Sequence, residues 1–315
     1  MYPLKLNPFF TDYIWGGRKL IEDFGKKSDL DRVAESWELS CHKDGHSTIA
    51  NGDYKGRTLL EYIEEKGETI LGTNCDKFDD FPILIKLIDA KENLSVQVHP
   101  DDEYGRRVEG DNGKTEMWYV VDCDEGASLL YGFKSEISKE EFKKRIKENT
   151  LLDVVNSVKV KKGDVFFIEA GMLHAIGGGI VIAEIQQNSN TTYRIYDYGR
   201  IGADGNPRQL HVDKALDVTD LVPPTRREFV DDGGYGQLLA KCDYFTVRKL
   251  TSNTALNADS SSFHSILLLS EDANVKYGDG EIITIKKGET IFVPAGLGEY
   301  EIYSDSEIEA LLTYV

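Results

Sequence analysis

The chain has 315 residues, of which 40% are apolar and 10% aromatic, and it carries a formal net charge of −18. The apolar residues are spread along the whole length and interrupted by charges, which excludes both a disordered chain and a membrane span of roughly 20 apolar residues. The acidic balance excludes nucleic acid and anionic membranes as partners, because these surfaces are bound through basic patches. An anionic small molecule must then be held by a few local cations.

The start of the chain, MYPLKLNPFF, has neither the basic end nor the long apolar run of a signal peptide, which indicates a cytoplasmic protein. The four cysteines are too widely spaced for a zinc knuckle or a disulfide framework, so we expect free thiols. For quaternary structure we expect a monomer or a weak homodimer.

Short apolar runs that end at Gly or Asp predict strands and turns through most of the chain. The first exception in chain order is a helix over residues 58–66. Leu59, Leu60 and Ile63 form its apolar side.

The segment ENLSVQVHPDD alternates between polar and apolar residues, as a half-buried strand does. A strand here places Ser95, Gln97 and His99 on one face and Val96 and Val98 on the other. The polar residues therefore share one side of the sheet.

The segment GKTEMWYVV follows the same rule. It places Lys114, Glu116 and Trp118 together, opposite Met117 and Tyr119. If both polar faces line a barrel interior, they bury an amide, an imidazole, an ammonium and a carboxylate. Such a set is costly to bury unless its members pair with one another or bind a metal ion.

A second helix is predicted over residues 138–149. Ser138 and Glu141 have the spacing of a capping box, and Phe142 and Ile146 fall on one face.

An internal repeat is the most informative feature of the organisation. KKGDVFFIEAGMLHAI, which begins at Lys161, matches KKGETIFVPAGLGEYEI, which begins at Lys286. The pattern G-x5-P-x-G-x2-H resembles the second half of the cupin signature, in which a turn lifts a histidine onto the inner wall of a small barrel. The first copy keeps His174, whereas the second has Glu299 at that position, so we expect one working barrel and one structural barrel.

The predicted fold class is therefore mainly β, a bicupin of two jelly-roll β-barrels with a few short helices inserted. The paired prolines Pro223 and Pro224 suit a connection, because they cannot continue a central strand. We expect a catalytic barrel with an N-terminal extension and a helical insert over residues 1–232. A degenerate structural barrel then occupies residues 233–315.

With His174 added, the two polar strand faces supply two imidazoles, one carboxylate and one amide oxygen. This set suits Zn²⁺ with one position left for water or substrate. Each of these residues taken singly is more often a surface or hydrogen-bonded polar group, so the metal hypothesis depends on the set.

A further polar strand, IVIAEIQQNSN, contains Glu184 and is followed by Arg194 and Arg200. Arginine suits bidentate binding of phosphate or carboxylate, so one of the two could hold an anionic substrate. The alternative is a surface arginine paired with Asp197 or Asp204.

Together these residues resemble the type I mannose-6-phosphate isomerases in their short bacterial form. The resemblance covers most of residues 1–215 and lies in the motifs WGGRKL, ESWELSCHKDGHS, ILIKLIDAKENLSVQVHPDD, KTEMWYV, HAIGGG and EIQQNSNTTYRIYDYGR. It implies a cupin that interconverts mannose 6-phosphate and fructose 6-phosphate through an enediol, with one Zn²⁺ per chain and a sugar phosphate as its small-molecule partner. The chain departs from longer relatives in having KTEM for KPEM and no room for their extra helical domain.

The resemblance also implies roles for individual residues. The implied metal ligands are Gln97, His99, Glu116 and His174. The implied catalytic and substrate-binding residues are Arg194, Lys114, Glu184, Trp15, Lys86 and Ser95. For proton transfer we expect Glu184 or Lys114, and the sequence does not choose between them.

Two other classes of function fit parts of the pattern. An iron-dependent cupin oxygenase also uses two histidines and a carboxylate, although Gln97 and the nearby arginines weigh against it. A non-catalytic sugar-binding bicupin would not need the polar inner faces of the first barrel. His42, His46, His211 and His264 receive no role from the sequence.

Overall fold

The computed structural model describes residues 1–202 and 205–315, and within them the fold is mainly β with a few short helices, as predicted. In the first two thirds of the chain the strands are β1 (Leu4–Asn7), β2 (Phe9–Thr11), β3 (Glu35–Leu39), β4 (Cys41–His42), β5 (Gly45–His46), β6 (Thr48–Ile49), β7 (Ile83–Ala90), β8 (Val96–Val98), β9 (Glu116–Cys123), β10 (Ser128–Phe133), β11 (Val155–Lys159), β12 (Val165–Ile168), β13 (His174–Ala175), β14 (Ile180–Gln187) and β15 (Tyr193–Tyr196).

The last third contains β16 (Gln237–Lys241), β17 (Thr246–Leu250), β18 (Thr254–Ala258), β19 (His264–Leu268), β20 (Ala273–Tyr277), β21 (Glu281–Ile285), β22 (Thr290–Val293), β23 (Gly298–Tyr303) and β24 (Ala310–Tyr314). The α-helices of the described residues are α1 (Lys19–Glu22), α2 (Leu59–Lys66), α3 (Asp102–Val108), α4 (Lys139–Lys147) and α5 (Val212–Val218). Short 3₁₀ turns lie at Glu68–Ile70, Thr73–Cys75 and Leu151–Val154.

Four larger antiparallel sheets are formed from these strands. The first pair of sheets has six strands, in the order β12-β9-β14-β7-β3-β2, and five strands, in the order β11-β10-β13-β8-β15. The second pair has seven strands, in the order β16-β17-β24-β19-β22-β1-β6, and four strands, in the order β18-β23-β20-β21. Strands β4 and β5 form a separate hairpin.

The alternation of side chains along the strands places these sheets in layers. On β7, Ile85 and Leu87 point into a core that also contains Phe292 and Leu311 of the seven-stranded sheet. Ile88 points the other way, into a core shared with Leu129 of the five-stranded sheet. A further core fills the space between the seven-stranded and four-stranded sheets. The six-stranded and seven-stranded sheets therefore lie back to back, each with a smaller sheet over its other face.

The two repeat copies occupy equivalent places in this arrangement. The first copy runs from β12 in the six-stranded sheet to β13 in the five-stranded sheet, and the second runs from β22 to β23 in the other pair. His174 of the first copy is buried, whereas Glu299 of the second is exposed.

The N-terminal strand contributes to the second pair of sheets. Leu4 of β1 pairs with Phe292 of β22, so the start of the chain completes a sheet built mostly from its end. The division into domains at residues 232 and 233 stays a prediction. Pro223 and Pro224 lie in a connection without helix or strand, between α5 and β16.

Helix α4 agrees with its predicted position, and its N-terminus differs in one detail. The Ser138 hydroxyl accepts a hydrogen bond from the Glu141 backbone amide at 3.1 Å. The Glu141 carboxylate accepts from Arg145 Nε at 2.7 Å instead of returning to the N-cap, so the predicted capping box is only half formed. Phe142 packs with Val98 on the outer face of the five-stranded sheet.

Helix α2 was predicted with its apolar side and has a complete capping box between Thr58 and Glu61. Helices α1, α3 and α5 were not predicted, because each has only one or two turns and shows little periodicity. The four cysteines are free, as expected. In the described ranges, no helix has the length and apolar character needed to cross a membrane.

Candidate active site and metal centre

A cleft of about 260 Å³ opens between the six-stranded and five-stranded sheets. On the six-stranded sheet, Glu184 of β14 lies between Lys86 of β7 and Trp118 of β9, directly opposite both in the strand register. The three side chains therefore stand side by side on the face that the alternation predicts to be polar. Met117 and Tyr119 lie on the opposite face, in the core between the two pairs of sheets.

The five-stranded sheet supplies the opposite wall. Gln97 of β8 pairs with His174 of β13 on one side and with Arg194 of β15 on the other. Val96 and Val98 face outward into the core beneath α4 and α5. The predicted strand faces are thus correct at both polar segments.

Three buried residues converge where the two walls meet. Each of His99, Glu116 and His174 offers one ligand atom, and these atoms lie within 4.8 Å of one another. Glu116 Oε2 lies 3.6 Å from His99 Nε2, and Glu116 Oε1 lies 3.4 Å from His174 Nε2. Among the described residues this is the one group of three or more His, Cys, Asp or Glu side chains with such spacing.

Backbone carbonyls fix the orientation of both imidazoles. His99 Nδ1 lies 2.9 Å from the Thr191 carbonyl oxygen, and His174 Nδ1 lies 2.8 Å from the Met172 carbonyl oxygen. A carbonyl only accepts hydrogen bonds, so each Nδ1 carries the proton and each Nε2 presents a lone pair to Glu116. Metal-binding histidines are held in this way.

Burial keeps both imidazoles neutral. It lowers the pKa of His174 to about 4, and together with the Lys114 charge it lowers the pKa of His99 well below its usual value. Burial and the Glu184 charge raise the pKa of Glu116 to about 8, against the opposing effect of Lys114. Glu116 Oε1 is buried and accepts no hydrogen bond within the described chain. With a pKa of about 8, Glu116 holds a proton at pH 7 while no cation is bound. A bound cation would replace this proton beside two neutral imidazoles.

Gln97 lies next to this centre. Its Nε2 is 3.3 Å from His174 Nε2. The two amide atoms exchange places when the group turns by 180°, so the hydrogen-bond network decides which of them faces a ligand. The amide oxygen of Gln97 can therefore join the three other residues as a fourth ligand.

Two lysines connect the metal-ligand candidates to the cleft. Lys114 Nζ lies 2.7 Å from Glu116 Oε2, 3.2 Å from His99 Nε2 and 3.7 Å from Glu184 Oε1. Lys86 Nζ lies 3.4 Å from Glu184 Oε1. Burial alone would raise the pKa of Glu184, but these two ammonium groups and the Trp118 indole N–H lower it to about 2. Glu184 is therefore ionised at neutral pH.

Ser95, Trp15 and two arginines also line the cleft. Trp15 is buried and stacks on Tyr13, with ring centroids 5.4 Å apart. Arg194 and Arg208 both line the cleft. Burial and the neighbouring Arg208 charge lower the pKa of Arg194, which is what two like charges beside one cavity produce.

The alternative of an arginine paired with Asp197 is confirmed for Arg200, which forms this ion pair together with Arg208. Among the described residues, Arg194 forms no such pair with Asp197. Arg194 donates to the Gln209 carbonyl oxygen at 3.0 Å, and its Nε has no hydrogen-bond partner in the described part of the chain. Asp204 lies outside the described residues.

All ten residues named from the sequence come together in this region, although their roles stay predictions. Seven of them line the cleft: Trp15, Lys86, Ser95, Gln97, Lys114, Glu184 and Arg194. The other three form the candidate metal centre. The polar cleft residues that sequence reasoning missed are Tyr13, Glu35, Asn190, Thr192 and Arg208. Glu35 and Asn190 lie inside motifs already noted, but nothing in the local pattern of Arg208 marks it.

Comparison with known proteins shows which sequences the chain resembles. Residues 3–127 match the family described as phosphomannose isomerase type I, catalytic domain. The chain is 39% identical to mannose-6-phosphate isomerase ManA of Bacillus subtilis, with 97% of each chain covered. It is 36% identical to the mannose-6-phosphate isomerase of Streptococcus mutans, over 98% of this chain and 97% of that one.

Solved structures give the same result for the fold. The mannose 6-phosphate isomerase from Bacillus subtilis superposes with a TM-score of 0.89 at 34% identity, and the match covers 100% of both chains. A structure from Archaeoglobus fulgidus, described as a putative mannosephosphate isomerase, has a TM-score of 0.80 at 21% identity and supports the fold alone.

Proposed function

Because the chain belongs to the family of type I phosphomannose isomerases, we propose that it interconverts mannose 6-phosphate and fructose 6-phosphate with one zinc ion and through an enediol intermediate. As a member of this family it is a mannose-6-phosphate isomerase. The observation that supports zinc and an enediol intermediate is the buried triad of His99, Glu116 and His174 beside a cleft lined by lysines and arginines.

The proposed zinc ligands are His99, Glu116, His174 and the amide oxygen of Gln97. Three or four ligands of the N and O type, with room for a water or substrate oxygen, are typical of catalytic zinc sites. When bound, zinc supplies Lewis-acid polarisation of substrate oxygens. The oxygen of Glu116 that lacks a donor supports this assignment, because a buried carboxylate oxygen without a partner is costly.

Aldose–ketose isomerisation moves a proton between carbons 1 and 2 of the sugar, so the site needs a base beside the cleft. We propose Glu184 as this base. It is ionised at neutral pH, and its Oε1 is buried without a hydrogen-bond donor in the described chain. Lys114, which also lines the cleft, is the alternative. Trp118 donates to Glu184 Oε2 at 2.9 Å, so the proton would go to Oε1, which is ion-paired with Lys86 and Lys114.

The cations of the cleft suit the two negative charges of the reaction, one on the substrate phosphate and one on the enediolate oxygen. Lys86 lies over the Trp37 ring and beside Glu184, close enough to steady charge that develops on an enediolate oxygen. Arg194 and Arg208 lie in the same cleft and present guanidinium groups suited to phosphate or enediolate oxygens. We propose that Trp15 and Ser95 complete the sugar-binding wall. The protein's acidic surface does not oppose this, because the binding cations are local.

The iron-dependent oxygenase stays a rival for the same triad. The lysines and arginines of the cleft favour an anionic sugar instead, since oxygenation requires no such cations. Oxygen consumption in the presence of Fe(II) measures this activity directly.

The decisive experiment measures bound metal and isomerase activity on the same preparation. We expect near one zinc per chain, formation of fructose 6-phosphate from mannose 6-phosphate, loss of activity with a chelator and recovery with zinc. Activity that survives complete removal of metal would refute the zinc proposal. Tight metal binding without isomerisation would keep the metal centre and refute the substrate. A Glu309→Gln protein serves as a control, because Glu309 lies outside the cleft residues.

A further inference from the structure

The segment 189–192, between β14 and β15, lies along the cleft without helix or strand structure. Asn190 and Thr192 line the cleft. The carbonyl oxygen of Thr191 is the acceptor for His99 Nδ1. The orientation of a proposed zinc ligand therefore depends on an irregular segment, whereas the acceptor for His174 belongs to Met172, two residues before it in the chain.

One carboxylate holds this segment. Asp111 Oδ2 accepts hydrogen bonds from Thr191 Oγ1 at 2.9 Å, from Ser189 Oγ at 3.1 Å and from the Asn190 backbone amide at 3.4 Å. Three successive residues thus meet at one oxygen atom. The Asp111 side chain is 15% exposed, which makes these bonds stronger than they would be in water.

Asp111 is itself held in place. It lies in the turn that follows α3, and its backbone amide donates to the Gly105 carbonyl oxygen. A side chain at Gly105 would meet the Asp111 carbonyl oxygen at 2.9 Å, so the turn is pressed against the helix. The rigid element α3 therefore supports the carboxylate, and the carboxylate supports the segment.

His42 completes the arrangement from the other side. The Asp44 backbone amide donates to His42 Nδ1 at 3.2 Å, so Nε2 carries the proton and faces Asp111 Oδ2 at 4.0 Å. Asp44 also accepts from Asn190 Nδ2 at 2.9 Å. The histidine that the sequence left without a role thus supports the charge of Asp111.

We propose that Asp111 is a positioning residue: through Thr191 it fixes the Nδ1–H tautomer and the orientation of His99, and so sets the affinity of the metal centre. The expected effect on metal affinity rests on the proposed zinc site. The expected effect on the His99 tautomer rests on the hydrogen bonds alone. Loss of partners beyond the metal ligands typically lowers metal affinity by about 10-fold to 100-fold.

The test uses two readouts on Asp111→Asn and on the unaltered chain. The first is zinc affinity, measured by competition with a chromophoric chelator. The second is the long-range ¹H–¹⁵N NMR spectrum of the metal-free protein, in which the His99 signal is identified by its loss in His99→Asn. We expect at least a 10-fold weaker affinity. We also expect the single Nδ1–H pattern of His99 to become a mixture of tautomers.

Asp232→Asn is the matched control, because Asp232 is a carboxylate that binds the buried Arg248 in the second pair of sheets. It should lower the melting temperature while zinc affinity stays within twofold and the His99 pattern is unchanged. If Asp111→Asn does not fold, Thr191→Val removes one of the three bonds and should shift both readouts in the same direction by less.

An Asp111→Asn protein with zinc affinity within twofold of the unaltered chain and an unchanged His99 tautomer would overturn the inference. If neither protein binds zinc but the tautomer changes, the zinc proposal fails and the positioning role stands. The two proposals are therefore tested separately.

Discussion

Lys114 Nζ lies 2.7 Å from Glu116 Oε2, and both side chains are buried. Lys114 lies two residues before Glu116, the first residue of β9, and the alternation of the strand continued backward would place both side chains on one side. The Lys114 ammonium forms an ion pair with Oε2. Oε1 lies 3.4 Å from His174 Nε2 and accepts no hydrogen bond in the described chain. One carboxylate oxygen is thus paired with a protein cation, and the other is left for a metal ion.

Glu116→Gln should abolish zinc binding. The substitution keeps the size of the side chain but removes the single negative charge among the proposed ligands, and it leaves Lys114 with Glu184 as its remaining ion-pair partner. Zinc retained after gel filtration measures the effect, with about one ion per chain expected for the unaltered protein. Glu309→Gln, on a carboxylate that binds Tyr119 on the other face of the same sheet, should keep its zinc. A Glu116→Gln protein that retains stoichiometric zinc would remove this residue from the ligand set.

Glu184→Gln should keep zinc and lose about 10²-fold to 10⁴-fold in turnover, the usual contribution of a positioned base. Its amide oxygen can still accept from the Trp118 indole, so the fold of the cleft is preserved. Turnover and deuterium uptake from heavy water into the sugar are measured together, because both require proton transfer.

Lys114→Met gives the opposing test of the base. A Glu184→Gln protein that turns over normally, together with a Lys114→Met protein that holds zinc but does not turn over, would assign the base to Lys114. The metal content of both variants must be measured, since Lys114 also contacts Glu116.

The polar faces of the catalytic strands could be predicted because they depend only on alternation along each strand. Gln97 and His99, and likewise Lys114 and Glu116, are two residues apart, and a period of two fixes their common side. The meeting of His174 with Gln97 across the sheet depends on long-range register, and only the repeat and the family resemblance pointed to it.

Other features could not be predicted because they depend on contacts between distant segments. The pairing of Leu4 with Phe292 joins the two ends of the chain, and no local pattern encodes it. Arg208 enters the cleft from an irregular segment, where no periodicity orients side chains. At Ser138, the capping-box spacing is present, but Arg145 one turn later competes for the Glu141 carboxylate.

Arg208→Gln should raise the KM for mannose 6-phosphate by about 10-fold or more with a smaller change in kcat. A hydrogen bond to a charged group contributes about 1.5–3 kcal/mol. Arg208 is proposed to bind the phosphate and not the reacting carbons, so its loss should weaken substrate binding more than turnover. Steady-state kinetics measure the effect, and inhibition by inorganic phosphate should weaken in parallel.

Arg145→Gln is the control for that variant, since Arg145 is also an arginine bound to a carboxylate but lies on α4, outside the cleft. Its KM should stay within twofold of the unaltered value. If the KM of Arg208→Gln also stays within twofold of the unaltered value, Arg194 and the lysines hold the phosphate without Arg208.

His264→Gln should reduce the loss of stability in mild acid. His264 is buried in the second pair of sheets, with Nδ1 2.8 Å from the Tyr300 hydroxyl, and burial lowers its pKa from 6.5 to about 4. As pH falls from 6.5 to 4, the unfolded chain binds a proton at this residue and the folded chain does not. The free energy of unfolding therefore decreases over this window, by up to about 3 kcal/mol.

Urea unfolding at pH 7 and at pH 4.5 measures the decrease in both proteins. Other groups titrate equally in the two chains, so the difference between their pH dependences isolates His264. Glutamine cannot be protonated, and the variant should lose less free energy between the two pH values, although its stability at pH 7 is lower because packing around Tyr300 changes. Equal losses in the two proteins would mean that His264 is protonated in the folded state as readily as in the unfolded chain, and that burial does not disfavour its charge.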